Sequence, residues 1–294
     1  MSLKRILVTG ASSPLGRAVG RRLQREGVVS VGTIRSATKP GDLPMFDELA
    51  VVDFNDLSTL RNIYGDFEAV IHVAAASYGA PADLMRVTGI ATDFLARVAI
   101  NLGIRRFVHV SAMSVYGRPE VSVVSSKTPI KHSIPYGAAK WAAECYLHDL
   151  QDQMPSISIR SPAIVGSRPG THTHFLAKVL KAMTTRTETI RLSNPDFLFN
   201  NIVHEETLSE FLVHLSLSSL VGYQAIPVGS IQADKLKDLI NYMANAVEYT
   251  RTVSWDNGSE SPFSIDFREA IELGFQPLTS MRVLEQWLAP QTQK

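Results

Sequence analysis

The stretch Arg5-Ile-Leu-Val-Thr9-Gly10-Ala-Ser-Ser-Pro14-Leu-Gly16-Arg17-Ala-Val19 decides the fold class of this chain. An apolar run, a turn of small residues and a helix start follow one another directly, which makes one strand-turn-helix unit. Gly10 permits the tight turn, Gly16 lets the helix pack close to the strand, and free amides at the helix N-terminus face an anion. Ser13 stands where a middle glycine often sits, so the approach is more crowded, although its hydroxyl can donate. With Ser12, Pro14 and Leu15 this is the context that a dinucleotide pyrophosphate requires. An ordinary strand-to-helix turn is the alternative, and the position of the unit at the head of an alternating chain favours the nucleotide.

Working outward, short apolar runs alternate with longer helical-period segments, the pattern of a parallel sheet built from strand-helix-strand units. Strands are expected at 5–9, 28–34, 49–52, 69–73, 107–111, 156–160 and 224–228, mostly as continuous Val/Ile runs suited to a sheet covered on both faces. Helices are expected near 14–26, 56–63, 83–102, 135–151, 173–184, 205–220 and 233–247. The rhythm changes after Pro162. The chain therefore reads as α/β, with a dinucleotide-binding domain over 1–165 and a smaller, discontinuous substrate-binding domain over 166–294. Parts of 200–230 serve the first domain as well.

The 294 residues are 45% hydrophobic, which excludes a disordered chain. Twenty-nine basic against 28 acidic side chains leave a net charge of +1, without the basic footprint that a nucleic-acid binder needs. A single cysteine, Cys145, excludes an internal disulfide and a cysteine-rich zinc site. The apolar run behind Lys4 and Arg5 is too short for a signal-peptide core, and no stretch approaches the roughly 20 apolar residues of a membrane span. The expectation is a cytoplasmic protein with a small-molecule substrate and no nucleic-acid or membrane partner.

The second strand ends in Ile34-Arg35-Ser36. A cation and a hydroxyl suit a ribose 2′-phosphate better than a 2′-hydroxyl, so NADP is favoured over NAD, with a solvated surface arginine as the alternative. Asp53 after the third strand could accept from an adenine amino group while Phe54 covers the ring; a helix cap for the segment near Asp56 competes with that role. Ala74, Ala75 and Ala76 are small where a cofactor would lie against backbone, and a close-packed sheet end would look the same.

Tyr136-Gly-Ala-Ala-Lys140 opens a helical segment, so a phenol and an ammonium share one face a turn apart. A free phenol titrates at about 10, and a neighbouring cation favours its ionisation. This spacing, together with the cation of an oxidised nicotinamide, is expected to bring Tyr136 toward a working range for acid/base chemistry, with a surface pair as the alternative for the string taken alone.

Taken together, TGASSPLG (9–16), VVDF (51–54), VIHVAAA (70–76), VHVSAMSVYG (108–117), YGAAK (136–140), RSPAIVG (160–166), NNIVHEETL (200–208) and LGFQPLTS (273–280) resemble an extended short-chain dehydrogenase/reductase of the NAD-dependent epimerase/dehydratase kind. The resemblance implies a Rossmann-like doubly wound parallel sheet with a smaller C-terminal substrate domain. It implies that Tyr136 is the general acid or base, that Lys140 steadies the phenolate and binds the nicotinamide ribose, and that Pro162 lies near the nicotinamide. It also implies a Ser or Thr four residues before the tyrosine of VYG, where this chain has Ala112. Ser114, two residues on, is the expected replacement, Ser111 the second choice, and a water the alternative. Thr88 appears where such enzymes carry an asparagine. Met113-Ser114 lacks the acidic pair of dehydratases, so dehydration is disfavoured.

On the substrate side, Arg168, Arg191 and Arg282 are candidates for a sugar-nucleotide diphosphate, each with a solvated-charge alternative. Tyr78 and Asn201 are further candidate contacts. His172 and His174 alternate like metal ligands, but no third ligand is in register, and pocket lining or surface is the preferred reading. A homodimer through helices 83–102 and 135–151 fits Leu84, Phe94, Leu95, Val98, Tyr146 and Leu150, as burial within one chain would. The leading expectation is an NAD(P)-dependent oxidoreductase or epimerase acting on a secondary alcohol or ketone, chiefly a nucleotide sugar. A ketone reductase of a non-sugar metabolite and an NADP-sensing regulator are the alternatives.

Overall fold

The computed structural model describes residues 5–35, 40–131, 134–166, 174–186, 189–256 and 262–289. The apolar runs form seven strands: β1 (Arg5–Thr9), β2 (Val29–Ile34), β3 (Glu48–Val51), β4 (Ala69–His72), β5 (Phe107–Ala112), β6 (Ser156–Ser161) and β7 (Tyr223–Pro227). They lie in the order β7-β6-β5-β4-β1-β2-β3, and every pairing is parallel. The order reverses between β1 and β4, which opens a crevice beyond the carboxyl ends of the strands, as in Rossmann-like sheets.

The helices are α1 (Pro14–Arg25), α2 (Pro81–Leu84), α3 (Ala91–Asn101), α4 (Pro135–Asp149), α5 (Phe175–Thr185), α6 (Glu205–Leu217), α7 (Leu236–Ala246), α8 (Arg268–Glu272) and α9 (Ser280–Leu288). Strand residues alternate between two buried faces. Ile6, Val8 and Ile71 pack with Leu15, Val19 and Leu23 of α1 and with Leu208, Phe211 and Leu212 of α6. Leu7, Val70 and Phe107 face the other way, onto Leu95, Ala96 and Ala99 of α3 and Leu147 of α4. Covering both faces is why these strands read as unbroken apolar runs.

Two expected helices differ from the sequence reading. The segment near 56–63 is a 3-10 helix, Leu57–Asn62, capped by Asp56, whose carboxylate accepts from Ser58 N at 3.1 Å. The long helix at 83–102 begins earlier, at Pro81, and contains a π-helical turn, Met85–Ile90, between α2 and α3. Gly89 in that turn faces α4 closely: a Cβ there would stand 3.2 Å from Ala139 O and 2.9 Å from Met85 Sδ.

A second apolar cluster gathers Leu176, Leu180 and Met183 of α5, Leu239, Ile240 and Met243 of α7, and Val283, Leu284 and Trp287 of α9. Ala163–Val165 beside Ile202–His204 contributes to both clusters, while Arg191–Ser193 beside Ser254–Asp256 belongs to the second; both pairings are parallel. Residues 263–275 depart from the expected division at 165/166. Ile265, Phe267, Ala270 and Phe275 join the first core, and Ser264–Ile265 pairs with Val123–Val124. Among the described residues, no helix is long and apolar enough to cross a membrane.

Candidate active site

The turn after β1 is built by steric necessity. Gly10 has φ +71°, and a Cβ on it would lie 2.9 Å from Ala74 N, while a Cβ on Gly16 would fall on Gly10 O. Only glycine meets both demands without displacing backbone. Ser13 caps α1: its hydroxyl donates to Gly10 O at 2.7 Å and accepts from Gly16 N at 3.0 Å. That corrects the expectation of a serine hydroxyl free for an anion, because closing the turn uses both of its hydrogen-bonding directions. Leu15, at the second helical position, has an amide that no helical i−4 carbonyl can reach. Ser12 stands exposed beside it.

Two connected chambers follow. The larger, about 700 Å³, is lined by Gly10, Ser12, Ser13, Arg35, Asp53, Phe54, the loop Val73–Gly79 with Ala74, Ala75, Ala76 and Tyr78, and by Asn55 and Arg86. The Asp53 carboxylate accepts from Asn55 N and Asn55 Nδ2, both at 2.9 Å, and these bonds, with Arg35 and Arg86 nearby, hold it below the ordinary carboxylate range. Asp53 is thus not the helix cap, a role that Asp56 fills. Arg86 donates to Asn55 O, Asn55 Oδ1 and Asp83 Oδ1. Arg35 is exposed and, among the described residues, makes no hydrogen bond or ion pair; Ser36 lies outside the described residues. Asn55 and Arg86 went unnoticed in the sequence, since neither belongs to a strand-end pattern.

The smaller chamber, about 390 Å³, brings Tyr136 and Lys140 of α4 against Ser13, Pro14 and Leu15 of the turn, with Ala75, Ser77, Val110, Ser111, Ala112, Ser161, Pro162 and Ile164 around them. Lys140 is 1% exposed; its ammonium donates to Val110 O at 2.5 Å and lies 3.4 Å from His109 Nε2. Burial lowers it to about 7, against the opposing pull of Glu144. Burial raises the Tyr136 phenol to about 12. Lys140 does not by itself lower the phenol: loss of solvent sets the direction, and the ammonium turns down onto β5.

Beneath the chamber lies a buried polar chain that the sequence reading did not anticipate. Ala74 N donates to Thr9 Oγ1, which sits 2.6 Å from His72 Nδ1; His72 Nε2 is 3.0 Å from Thr92 Oγ1, which donates to Thr88 O. One tautomer satisfies every link: Nδ1 accepts from Thr9 and Nε2 donates to Thr92. The Thr88 hydroxyl accepts from Ala76 N at 3.0 Å, so Thr88 pins the alanine loop. Burial, with Lys140 nearby, holds His72 neutral down to about pH 3.

The replacement hydroxyls divide differently from expectation. The Ser111 hydroxyl donates to Glu144 Oε1 at 2.5 Å, and Glu144 is buried and paired with Arg160, whose guanidinium also donates to Tyr116 Oη at 2.7 Å. Ser111 is thus committed to a buried ion-pair network on the α4 side of the sheet. Ser114 lies past the end of β5 in the 3-10 turn Met113–Tyr116, where strand alternation stops; its hydroxyl is buried and has no partner among the described residues, and it does not line the chamber.

The substrate-side candidates also separate. Asn201 donates from Nδ2 to Phe263 O at 3.0 Å and acts as a strut for the segment that returns to the first core. Arg191 is exposed on the strand beside Ser254–Asp256, and exposed Arg282 pairs with Glu285 at 2.7 Å; neither lines the chambers, because their elements present those positions to solvent. His174 caps α5, accepting from Ala177 N at 3.3 Å. Arg168 and His172 lie outside the described residues.

The glycine-dependent close approach, a helix N-terminus facing the crevice and chambers on either side of the switch point fit an extended dinucleotide. Residues 6–198 match the NAD dependent epimerase/dehydratase family. The chain is 31% identical over 161 residues to a UDP-glucose 4-epimerase of Mycolicibacterium smegmatis, covering 49% of this chain and 50% of that one. It is 29% identical over 246 residues to the hybrid PKS-NRPS synthetase LUC5 of a Fusarium species, covering 74% of this chain and 6% of the synthetase. The chain thus spans half or less of the length of these relatives. A UDP-glucose 4-epimerase structure from Thermotoga maritima, solved with UDP-glucose, superposes with a TM-score of 0.82 at 19% identity over 97% of each chain. The match over residues 6–198, supported by this common fold, places the chain in the NAD dependent epimerase/dehydratase family.

Proposed function

We propose that this protein is an NAD(P)-dependent oxidoreductase or epimerase that acts on a secondary alcohol or ketone, with a nucleotide sugar as the favoured substrate class. The observation that carries the reading is the meeting of Tyr136 and Lys140 with the phosphate turn across one chamber. A bound nicotinamide supplies or takes the hydride. Tyr136 gives its proton to the substrate oxygen in reduction and receives it in oxidation, and Lys140 stands one turn below on the same helix face. A phenol held at about 12 is fully protonated at neutral pH, which suits the reductive direction. Arg35, uncommitted at the end of β2, supports a preference for NADP over NAD. In this reading the apolar cluster of α5, α7 and α9 forms the substrate domain, and Phe94, 47% exposed on α3, belongs to a homodimer face shared with α4.

Reduction of a non-sugar carbonyl is a second reading. It is favoured by the outward position of Arg191 and Arg282, which leaves neither of them to clamp a diphosphate. Cofactor stoichiometry separates the two. An epimerase converts UDP-glucose with no net change in nicotinamide absorbance, whereas a reductase oxidises one NADPH per carbonyl. Absence of both activities, together with absence of NADPH binding, would refute the assignment.

A further inference from the structure

In this chain a methyl group, that of Ala112, lines the chamber at the position where the resemblance implies a hydroxyl. Four serines line the same chamber: Ser13, Ser77, Ser111 and Ser161. Ser13 closes the phosphate turn and Ser111 is held by Glu144. Ser77 is exposed on the loop that also walls the larger chamber. Ser161 differs from all three. It is the last residue of β6 and pairs in register with Ala112 of β5. Partners in register on parallel strands point to the same face, with neighbouring strands about 4.8 Å apart. Ser161 is 4% exposed, and its hydroxyl makes one contact among the described residues, to Pro162 O at 3.3 Å, longer than an ordinary O–H···O bond. It is therefore a buried hydroxyl at the chamber wall, beside the missing one, with its donor held only by that long contact.

We propose that Ser161 supplies the hydroxyl that Ala112 cannot, donating a hydrogen bond to the substrate oxygen that exchanges a proton with Tyr136. The inference rests on the acid/base reading of Tyr136 above. No bond is made or broken at Ser161: the proton moves between Tyr136 Oη and the substrate oxygen, and the serine hydroxyl steadies the charge that develops there. Because the donor sits one strand over, the reacting oxygen is drawn toward β6 and the Pro162–Ile164 wall.

The test compares wild type, Tyr136→Phe, Ser161→Ala, Ser161→Thr and the double variant Ala112→Ser/Ser161→Ala. UDP-glucose with NADP and 1-phenyl-1,2-propanedione with NADPH are the probes, and NADPH affinity is read separately from fluorescence quenching. The expected result is a fall in kcat of about a hundredfold for Ser161→Ala, the scale of losing one preorganised donor. NADPH affinity should stay close to wild type, Ser161→Thr should keep the rate, and the double variant should regain it. A full rate in Ser161→Ala beside a dead Tyr136→Phe overturns the role of Ser161 alone. Loss of NADPH affinity with kcat preserved at saturation overturns it too, by assigning the hydroxyl to the cofactor. Wild type inactive on both probes, or undiminished by Tyr136→Phe, overturns this inference and the acid/base reading together. Should Ser161→Ala fail to fold, the rates of Ser161→Thr and of the double variant decide.

Discussion

The sheet layer and the second apolar cluster bury different things. Around the sheet, His72, His109, Lys140, Glu144 and Arg160 are all withdrawn from water and joined by hydrogen bonds to one another or to Thr9, Thr92, Ser111, Tyr116 and Ser158. Among the described residues, no Asp, Glu, Lys, Arg or His side chain is a buried member of the cluster of α5, α7 and α9; Tyr249 is buried there, and Arg191 and Arg282 lie on the surface. A buried polar network tolerates few rearrangements, because each member leaves another unsatisfied when it moves. An apolar cluster accepts many residues of similar volume. The contrast indicates that the sheet side, which holds Tyr136 and Lys140, tolerates little rearrangement, while residues on the other side can change with little effect on the fold.

The strongest challenge to this contrast is Arg160→Leu, which leaves the Glu144 carboxylate buried without its partner. A loss of about 3–5 kcal/mol is expected, measured by chemical denaturation. Changes of similar volume in the apolar cluster, such as Leu239→Met, should cost less than about 1.5 kcal/mol. Next in size, Tyr136→Phe should lower turnover by about a hundredfold or more with NADPH affinity near wild type. Equal loss of both would show that the phenol serves binding rather than proton transfer.

A third expectation concerns pH. His72 is neutral in the folded protein down to about 3 but takes up a proton at 6.5 when unfolded. Stability from keeping it neutral is present above pH 6.5 and is lost progressively as pH falls toward 3. The melting temperature should therefore drop across that window, and His72→Gln should flatten the slope; an unchanged slope would remove His72 from the account. Smaller still, Arg35→Asp should weaken NADP relative to NAD by roughly tenfold, the value of one charge-assisted contact. At the bottom of the scale, Arg282→Ala should leave turnover and cofactor affinity unaltered, since its guanidinium is held by Glu285 at the surface.

How much could be read in advance follows the same divide. β1 was legible to the residue, since Arg5 to Thr9 is an apolar run ended by glycine, and the phenol–ammonium pair was legible because both lie on one helix. The short pairings, such as Ala163–Val165 with Ile202–His204, were not, since two or three residues carry no period and depend on distant partners. The commitment of Ser111 to Glu144, 33 residues away, needed the third dimension. So did the register that sets Ser161 beside Ala112. Charge alone could not tell which way Arg191 and Arg282 face, and a helix read as continuous hid the π turn at Met85–Ile90.

That turn has a mechanical side. Gly89 meets the backbone of α4 at Ala139, one residue before Lys140 and three after Tyr136. A single methyl at position 89 would stand 3.2 Å from Ala139 O, so that α4 or the π turn would have to yield by a few tenths of an ångström, shifting the phenol and the ammonium together relative to the turn after β1. The placement of the phenol and the ammonium thus depends on a residue whose nearest contacts include neither of them, and a graded series from glycine through alanine to valine would move it stepwise.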